Sequence, residues 1–255
     1  MDRAAPGPDG APVTSVCGYC GVGCGIEAWA DGGRVRRISG SAGSPVNAGH
    51  LCAKGRYAHG WTRADDRLTE PLVRDGDGWR SVSWDEALAF AAREFQRIRA
   101  RDGAGALGVM TSSRSTNEAA YLFQKLFRSV LGTNNVDCCA RVCHSSTALA
   151  LTLATGTAAA SASYADIERA RTIVVAGANP TEAHPVLGAR IRQAARRGAR
   201  LIVIDPRRID LCDQAALHLQ LQPGTNVAAF NALAAVLLAE DLWDRDYVDA
   251  RTEGL

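Results

Sequence analysis

Four cysteines near the start of the sequence have the spacing of a metal centre. Cys17, Cys20, Cys24 and Cys52 follow the pattern C-x2-C-x3-C-x27-C, and the first three lie in one glycine-rich segment, CGYCGVGC. Three thiolates so close in sequence can reach a common centre only if the backbone curls around it, which glycine permits. Four thiolates suit either a 4Fe-4S cluster or a tetrahedral zinc ion. Three clustered ligands plus a distant fourth favour the cluster, and a disulfide pair is the least favoured interpretation.

Lys54 follows the last of these cysteines by two residues and could add charge to the same centre. The chain has 29 lysines and arginines, of which only Lys54 and Lys125 are lysine. A compact ammonium group beside a cluster would favour the reduced form and raise the reduction potential. A solvated loop lysine would explain the residue equally well.

A second group of thiols lies in the segment NNVDCCARVCHSS, which contains Cys138, Cys139, Cys143 and His144. Cys143 is followed directly by His144, at the start of an Ala- and Leu-rich stretch that predicts a helix. A thiol beside an imidazole can be a soft metal ligand, or a nucleophile next to a proton acceptor. Structural cysteines are also common, so the spacing alone leaves both interpretations open. Cys212 lacks such neighbours and is expected to be a core or surface thiol.

Two hairpins are predicted ahead of the first long helix. Residues 26–38 alternate around an Asp-Gly-Gly turn, and residues 71–83 surround a second turn at 75–78. The first hairpin would mount the cysteine loop on a small β-sheet. Ser83 and Glu86 then form a capping-box signature for a helix that ends at Gly103.

The rest of the chain alternates strands with helices, which predicts an α/β fold with a parallel sheet. Strands are expected at 106–110, 172–177, 199–205 and 218–221, and helices at 118–131, after 184 and at 227–239. Arg114 lies in the first strand-to-helix loop.

Three further loops, at 177–184, 205–208 and 224–226, would line one edge of this sheet. Such an edge suits a nucleotide or its diphosphate. No GxGxxG or P-loop motif is present, so NAD or ATP is not indicated. The polar loops of an ordinary α/β core would look the same.

Composition predicts a globular chain without a polyanionic partner. Its 255 residues are 47% hydrophobic, enough for a small domain and a larger one. The 29 basic and 27 acidic residues give a net charge of +2, so neither nucleic acid nor a membrane surface is indicated. Residues 1–14 are predicted to be a flexible lead-in, and the apolar runs are too short to span a bilayer. Eight cysteines that are better explained as ligands than as disulfides favour a reducing cytoplasm.

In order along the chain, the motifs CGYCGVGC, LCAKG, SSRSTNE, GTNNVDCCARVCH, GANPTEAHP, IDPRR and GTN resemble the catalytic subunit of molybdenum- or tungsten-dependent formate dehydrogenases. The cluster motif and the loops specify the wider molybdopterin oxidoreductase family. The ARVCH motif indicates the formate branch, because related nitrate reductases place the metal-bound cysteine in a different local context. The resemblance implies a β-rich 4Fe-4S domain at 15–70 and, at 71–255, Rossmann-like parallel-sheet α/β domains that are incomplete at the C-terminus.

The resemblance also implies roles for individual residues. Cys143 matches the cysteine or selenocysteine that binds molybdenum, His144 matches the histidine assigned to the proton, and Lys54 matches the lysine between cluster and pterin. The residues matched to the 4Fe-4S ligands are Cys17, Cys20, Cys24 and Cys52. The residues matched to binding of the pterin and its guanine dinucleotide are Arg114, Asn179, Glu182, Asp205, Arg208, Gly224 and Asn226.

The implied reaction is the oxidation of formate to CO2 at a molybdenum-bis(molybdopterin guanine dinucleotide) centre, in which tungsten could replace molybdenum. Electrons would leave through the 4Fe-4S cluster to a redox subunit or carrier. Family members are much longer, so the chain is expected to be an N-terminal portion that does not turn over formate alone. The alternatives are an assimilatory nitrate reductase, a non-catalytic iron–sulfur electron-transfer module and, least favoured, a zinc-ribbon binding protein.

Overall fold

The cysteine loop is carried by a small antiparallel sheet, as the alternating residues predict. In the computed structural model, which describes residues 11–254, this sheet has the order β1-β2-β3. Its strands, and the short helix that follows, are β1 (Val13–Val16), β2 (Gly25–Asp31), β3 (Arg34–Gly40) and α1 (Ala53–Tyr57). Gly32 and Gly33 have φ angles of 54° and 73°, the left-handed conformation that a tight hairpin turn requires.

Strand β1 overlaps the last two residues of the predicted flexible lead-in, residues 1–14. It begins at Val13, which pairs with Ala28 of β2. The first ten residues of that predicted lead-in lie outside the described residues.

The second predicted hairpin is also confirmed. It consists of β4 (Leu72–Asp75) and β5 (Gly78–Ser81), and it leads into helix α2 (Trp84–Asp102). Ser83 caps this helix, since its hydroxyl oxygen accepts a hydrogen bond from the backbone N–H of Glu86 at 3.2 Å. The Glu86 carboxylate instead accepts a bond of 2.7 Å from Arg80 on the neighbouring strand. Only half of the predicted capping box forms, because a nearby guanidinium competes for the carboxylate.

A pair of short parallel strands follows α2. The elements are β6 (Val109–Thr111), α3 (Asn117–Lys125), a π-helical turn (Leu126–Leu131) and β7 (Val136–Cys138). Gly132 ends the helical segment in the left-handed conformation, as predicted. The strand predicted at 106–110 starts later because residues 104–106 form a 3-10 turn. Phe127 packs edge-on against Phe95 of α2, with ring centroids 5.9 Å apart.

The second parallel sheet has the order β10-β9-β8, and both of its strand pairs are parallel, as predicted. Its core contains Leu201, Val203 and Leu211, which have no exposed surface, and Ile191 packs against them. The elements after β7 are α4 (Ala140–Cys143), α5 (Ser145–Thr155), α6 (Tyr164–Arg169), β8 (Thr172–Ala176), α7 (Pro180–Ala183), α8 (Pro185–Arg196), β9 (Arg200–Ile204), β10 (Leu217–Leu219), α9 (Asn226–Ala239) and α10 (Arg245–Arg251).

Internal contacts divide the chain into two units, one up to Ser161 and one from Ala162. The predicted boundary between residues 70 and 71 lies inside the first unit, just before β4. Both groups of cysteines with predicted functions belong to the first unit, and the three loops at the sheet edge belong to the second. Cys212 also belongs to the second unit, where it is buried in the core. Within residues 11–254, no helix is both long and apolar enough to cross a membrane.

Candidate metal and cofactor sites

The loop from Cys17 to Cys24 is closed by its own backbone. Cys17 leaves strand β1 and Cys24 precedes strand β2, and the N–H of Cys17 donates to the carbonyl oxygen of Cys24 at 2.8 Å. Gly23 has a φ of 78°, which a side chain would make unfavourable. The antiparallel pairing of β1 with β2 therefore holds the first and third thiols at the two ends of one closed loop.

Asn47 ties this loop to the segment that carries the fourth cysteine. Its side chain is almost fully buried, with 1% exposed. The amide nitrogen donates to the carbonyl oxygens of Gly25 at 3.0 Å and His50 at 2.6 Å, while the amide oxygen accepts from the N–H of Gly25 at 2.8 Å. Gly25 directly follows Cys24, and His50 lies two residues before Cys52. Sequence reasoning missed Asn47, although an Asn-Ala-Gly turn just before a ligand cysteine is a recognisable signal.

Gly55 leaves room around the sulfur of Cys17. It is buried in helix α1, and a Cβ atom at this position would lie 3.1 Å from Sγ of Cys17 and 2.8 Å from Cδ1 of Leu51. Any side chain there would press on the Cys17 thiol, a predicted cluster ligand. The glycine was not singled out from sequence, and its role follows from the packing.

The four thiols share one neighbourhood. Cys24 is buried, and its pKa is raised first by that burial and then by the charges of Cys17, Cys20 and Cys52. Yet among residues 11–254 no three Cys, His, Asp or Glu side chains converge tightly enough to hold a single metal ion. The choice of an iron–sulfur cluster over a zinc ion therefore stays a prediction from the cysteine spacing.

Replacing Asn47 by alanine is expected to loosen the centre without removing a ligand. The change would leave the N–H of Gly25 and two carbonyl oxygens without their partner, at a cost of about 3 kcal/mol. If the four thiols hold the predicted iron–sulfur cluster, the variant protein should lose iron faster to a chelator, as followed by the bleaching of its visible absorption.

The matched control for this change is Asn135→Ala. The Asn135 side chain also bonds backbone carbonyl oxygens, those of Gly105 and Leu107, but far along the chain from the four cysteines. Iron loss from Asn47→Ala at the wild-type rate would contradict the role given to Asn47.

Arg114 contacts the cysteine loop through an aromatic ring. Its guanidinium carbon lies 5.7 Å from the ring centroid of Tyr19, and Tyr19 stands between Cys17 and Cys20. This cation–π contact brings the loop after strand β6 to the cysteine loop. Lys54 lies in the first turn of helix α1 and is exposed. Tyr19 was not predicted, because a tyrosine between two ligands carries no chemistry until its partner is known.

Cys143 and His144 lie at the junction of two helices. Cys143 is the last residue of α4, and His144 adopts φ −151° and ψ 17° between α4 and α5. Both side chains are exposed. An ion pair of 2.7 Å between Asp137 and Arg141 fastens α4 to the end of β7. A thiol and an imidazole are thus adjacent and open to a ligand at the carboxyl end of the β6–β7 pair.

Cys139 has partners of its own. Hydrogen bonds with the backbone N–H of Ser113 at 3.3 Å and with its hydroxyl at 3.4 Å lower the pKa of this thiol, with a further contribution from Ser112. These bonds attach Cys139 to the loop that contains Arg114. They distinguish Cys139 from Cys143, which has no such bond within the described part of the chain.

In the second unit, the predicted loops follow the carboxyl ends of β8, β9 and β10, so they meet at one sheet edge. Arg207 joins two of them, since its guanidinium donates to the Glu182 carboxylate at 2.5 Å. Arg208, the predicted ligand residue, pairs instead with Asp213 at 2.7 Å. Asp205 accepts a bond of 2.8 Å from the backbone N–H of Arg207. Arg207 was missed because the sequence does not tell which of two adjacent arginines turns toward the neighbouring loop.

Asn179 keeps one hydrogen-bond donor open at this edge. Its amide oxygen accepts from the hydroxyl of Thr181 at 2.8 Å, while its buried amide nitrogen has no partner among the described residues. A buried unpaired donor is costly, and an acceptor atom of a nucleotide would satisfy it. Gly224, with a φ of 90°, lies two residues before Asn226, which begins the 14-residue helix α9. The end of a helix with free N–H groups suits an anionic group.

Comparison with known proteins identifies two domains along the chain. The chain matches the molybdopterin oxidoreductase Fe4S4 domain over residues 11–62 and the molybdopterin oxidoreductase domain over residues 67–245. It is 40% identical over 242 residues to the F420-dependent formate dehydrogenase subunit alpha of Methanocaldococcus jannaschii, a match that covers 95% of this chain and 35% of the relative. It is 39% identical over 251 residues to formate dehydrogenase H of Escherichia coli, with the same coverage.

A solved structure, that of acetylene hydratase from Pelobacter acetylenicus, has a TM-score of 0.75 and 26% sequence identity. That match covers 92% of this chain and 33% of the hydratase chain. The chain therefore spans about a third of the length of these relatives. Because the names of the matched proteins include both a dehydrogenase and a hydratase, the reaction has to be argued from the site.

Proposed function

This chain belongs to the molybdopterin oxidoreductase family, and from that premise we propose that it contributes the cluster and the metal-binding cysteine of a formate dehydrogenase. Formate would be oxidised to CO2, which releases one proton and two electrons. The relatives that are named as formate dehydrogenases support formate as the substrate. The exposed Cys143 and His144 carry the proposal, because a candidate metal ligand and a candidate proton acceptor are consecutive in the chain.

Each residue of this pair has a separate task. The Cys143 thiolate would bind molybdenum or tungsten, since soft metals at such a centre favour sulfur ligands. The His144 imidazole would accept the proton from formate, and the two helices on either side would hold the His144 backbone in place. The metal centre supplies the two-electron oxidation of formate, and the iron–sulfur cluster supplies the route by which electrons leave.

The remaining residues would hold and tune these groups. Cys17, Cys20, Cys24 and Cys52 would bind the 4Fe-4S cluster. Lys54 would place a positive charge beside it, and Arg114, held against Tyr19, would bind the pterin next to the cluster loop. In the second unit, the residues proposed to bind the guanine dinucleotide are Asn179, Glu182, Asp205, Arg208, Gly224 and Asn226. We add Arg207, because it links two of those loops.

An electron-accepting redox subunit or carrier would complete the reaction. All eight cysteines are free thiols, which agrees with the reducing cytoplasm as the proposed location.

The direct test is to purify, without oxygen, the assembly that contains this chain and to supply formate with an artificial electron-accepting dye. Reduction of the dye that depends on formate is expected, together with iron and molybdenum or tungsten in the protein. Nitrate reduction without formate oxidation would replace the proposal with a nitrate reductase. Iron without turnover of either substrate would point to a non-catalytic electron-transfer module, and zinc without iron to a zinc-binding protein.

A further inference from the structure

A cavity of about 540 Å³ lies at the end of the second sheet opposite the proposed nucleotide edge. It is bordered by the first residues of β8 and β9 and by the last turns of α6 and α8. Since β8 has five residues, about 16 Å of strand separates the cavity from the loop at Gly177. The cavity and the proposed nucleotide edge are therefore separate places on the same unit.

Arginines dominate the lining of this cavity. They supply four of its ten lining residues, Arg169, Arg171, Arg197 and Arg200, against a single carboxylate, that of Glu168. The backbone N–H of Arg200 donates to the carbonyl oxygen of Arg171 at 2.9 Å, so two of these arginines occupy adjacent strand ends. Arg197 follows directly on the last residue of α8.

Most of this positive charge is not neutralised by the protein. Glu168 is already bonded to Arg190, whose side chain is only 15% exposed. Arg169 pairs with Asp166 at 2.8 Å. Among residues 11–254, no carboxylate pairs with Arg171, Arg197 or Arg200. These three arginines are exposed at the cavity, and an anion bound between them would be stabilised by their positive charge, most strongly at low salt.

The negative ends of the helix dipoles next to the cavity neutralise part of this positive charge. The carboxyl ends of α6 and α8 each carry at most about half a negative charge, which together offsets about one of the three arginines. About two positive charges are left over. Simple compensation of helix dipoles therefore does not explain the whole cluster.

We infer that this cavity binds a multivalent oxyanion of the phosphate type. Arginine pairs with such groups through two parallel hydrogen bonds, and the cavity volume is within the range of small-molecule sites. A monovalent anion would leave part of the charge uncompensated. The anion could be inorganic or could belong to a nucleoside diphosphate. The inference does not depend on the proposed function, because none of these residues belongs to the proposed catalytic or cofactor sites.

The test is isothermal titration calorimetry of the full chain at low salt, with inorganic pyrophosphate in one series and ADP in the other. The wild-type protein should bind pyrophosphate, and added sodium chloride should weaken this binding. The double variant Arg171→Gln/Arg200→Gln should bind it at least tenfold more weakly. Arg251→Gln, which removes an exposed arginine from α10 in the same unit, should bind like the wild type.

The variant Arg208→Gln distinguishes pyrophosphate binding in this cavity from pyrophosphate binding at the proposed nucleotide edge. If pyrophosphate affinity falls in that variant and is unchanged in the double variant, the inference is overturned. Equal affinities for pyrophosphate and ADP would show that phosphates alone are recognised, and tighter ADP binding would show that the nucleoside adds contacts. Absence of binding to the wild-type protein would also overturn the inference. If the double variant fails to fold, as judged by circular dichroism, Arg197→Gln decides: at least a threefold loss supports the site and an unchanged affinity refutes it.

Discussion

If the assembly oxidises formate as proposed, replacing Cys143 by alanine is expected to lower that activity by about 10³-fold or more, the size of effect seen when a group that acts on the reacting atoms is removed. Alanine cannot bind a soft metal, so the molybdenum or tungsten content should fall as well. Because Cys143 is exposed, loss of its side chain should itself cost little stability, so any fall in the thermal midpoint should follow the loss of the bound metal. Dye reduction with formate, elemental analysis and a thermal melt measure these three quantities.

Cys139→Ala is the matched control for this change. Cys139 is exposed and lies only four residues earlier, but its sulfur is bonded to Ser113 and has no assigned part in the reaction. We expect this variant to keep most of its activity. If Cys143→Ala retained wild-type activity and metal, the chain would not supply the metal-binding thiolate, and an electron-transfer module would explain the fold better.

Replacing Cys24 by serine is expected to remove the iron–sulfur cluster. Cys24 is the most buried of the four thiols, with 5% exposed, and it lies between the closed loop and the Asn47 hydrogen bonds. A serine hydroxyl is a poor substitute for a thiolate, so iron content should fall below about a tenth of the wild-type value. Visible absorption and iron analysis of protein purified without oxygen provide the measurement.

Cys212→Ser serves as the control for Cys24→Ser. Cys212 is also buried, but it packs in the core of the second unit together with Leu211. That variant should keep its full iron content even if its stability is lower. Loss of iron in both variants would mean that unfolding, and not the missing ligand, explains the result for Cys24→Ser.

Local chemistry made much of this fold predictable. The Asp-Gly-Gly turn set the first hairpin, because two consecutive glycines with positive φ can form it and few other residues can. The runs Thr172–Ala176 and Arg200–Ile204 were recognisable as parallel strands, because buried β-branched residues recur along them. The loops after these strands then had to meet at one edge, whatever their side chains.

Contacts between distant residues were not predictable in the same way. Strand β7 has only three residues and pairs with β6 across α3, so its own sequence has no strand periodicity. Asn47 bonds to Gly25, 22 residues away, and this partner is known only once the sheet has formed. The Glu86 carboxylate likewise does not complete the predicted capping box. It bonds to Arg80 instead, because the hairpin β4–β5 places that guanidinium next to it.

The arrangement of the four cysteines also suggests an order of assembly during biogenesis. Cys20 and Cys24 are four residues apart, whereas Cys52 lies 28 residues beyond Cys24. Closing the sevenfold longer segment costs about 1.7 kcal/mol more in chain entropy. If these cysteines bind the proposed cluster, the local trio would be the first docking point for incoming iron, and Cys52 would bind last. The hydrogen bonds between Asn47 and Gly25 would lower that last entropic barrier, so a side chain outside the proposed ligand set would govern how quickly such a centre matures.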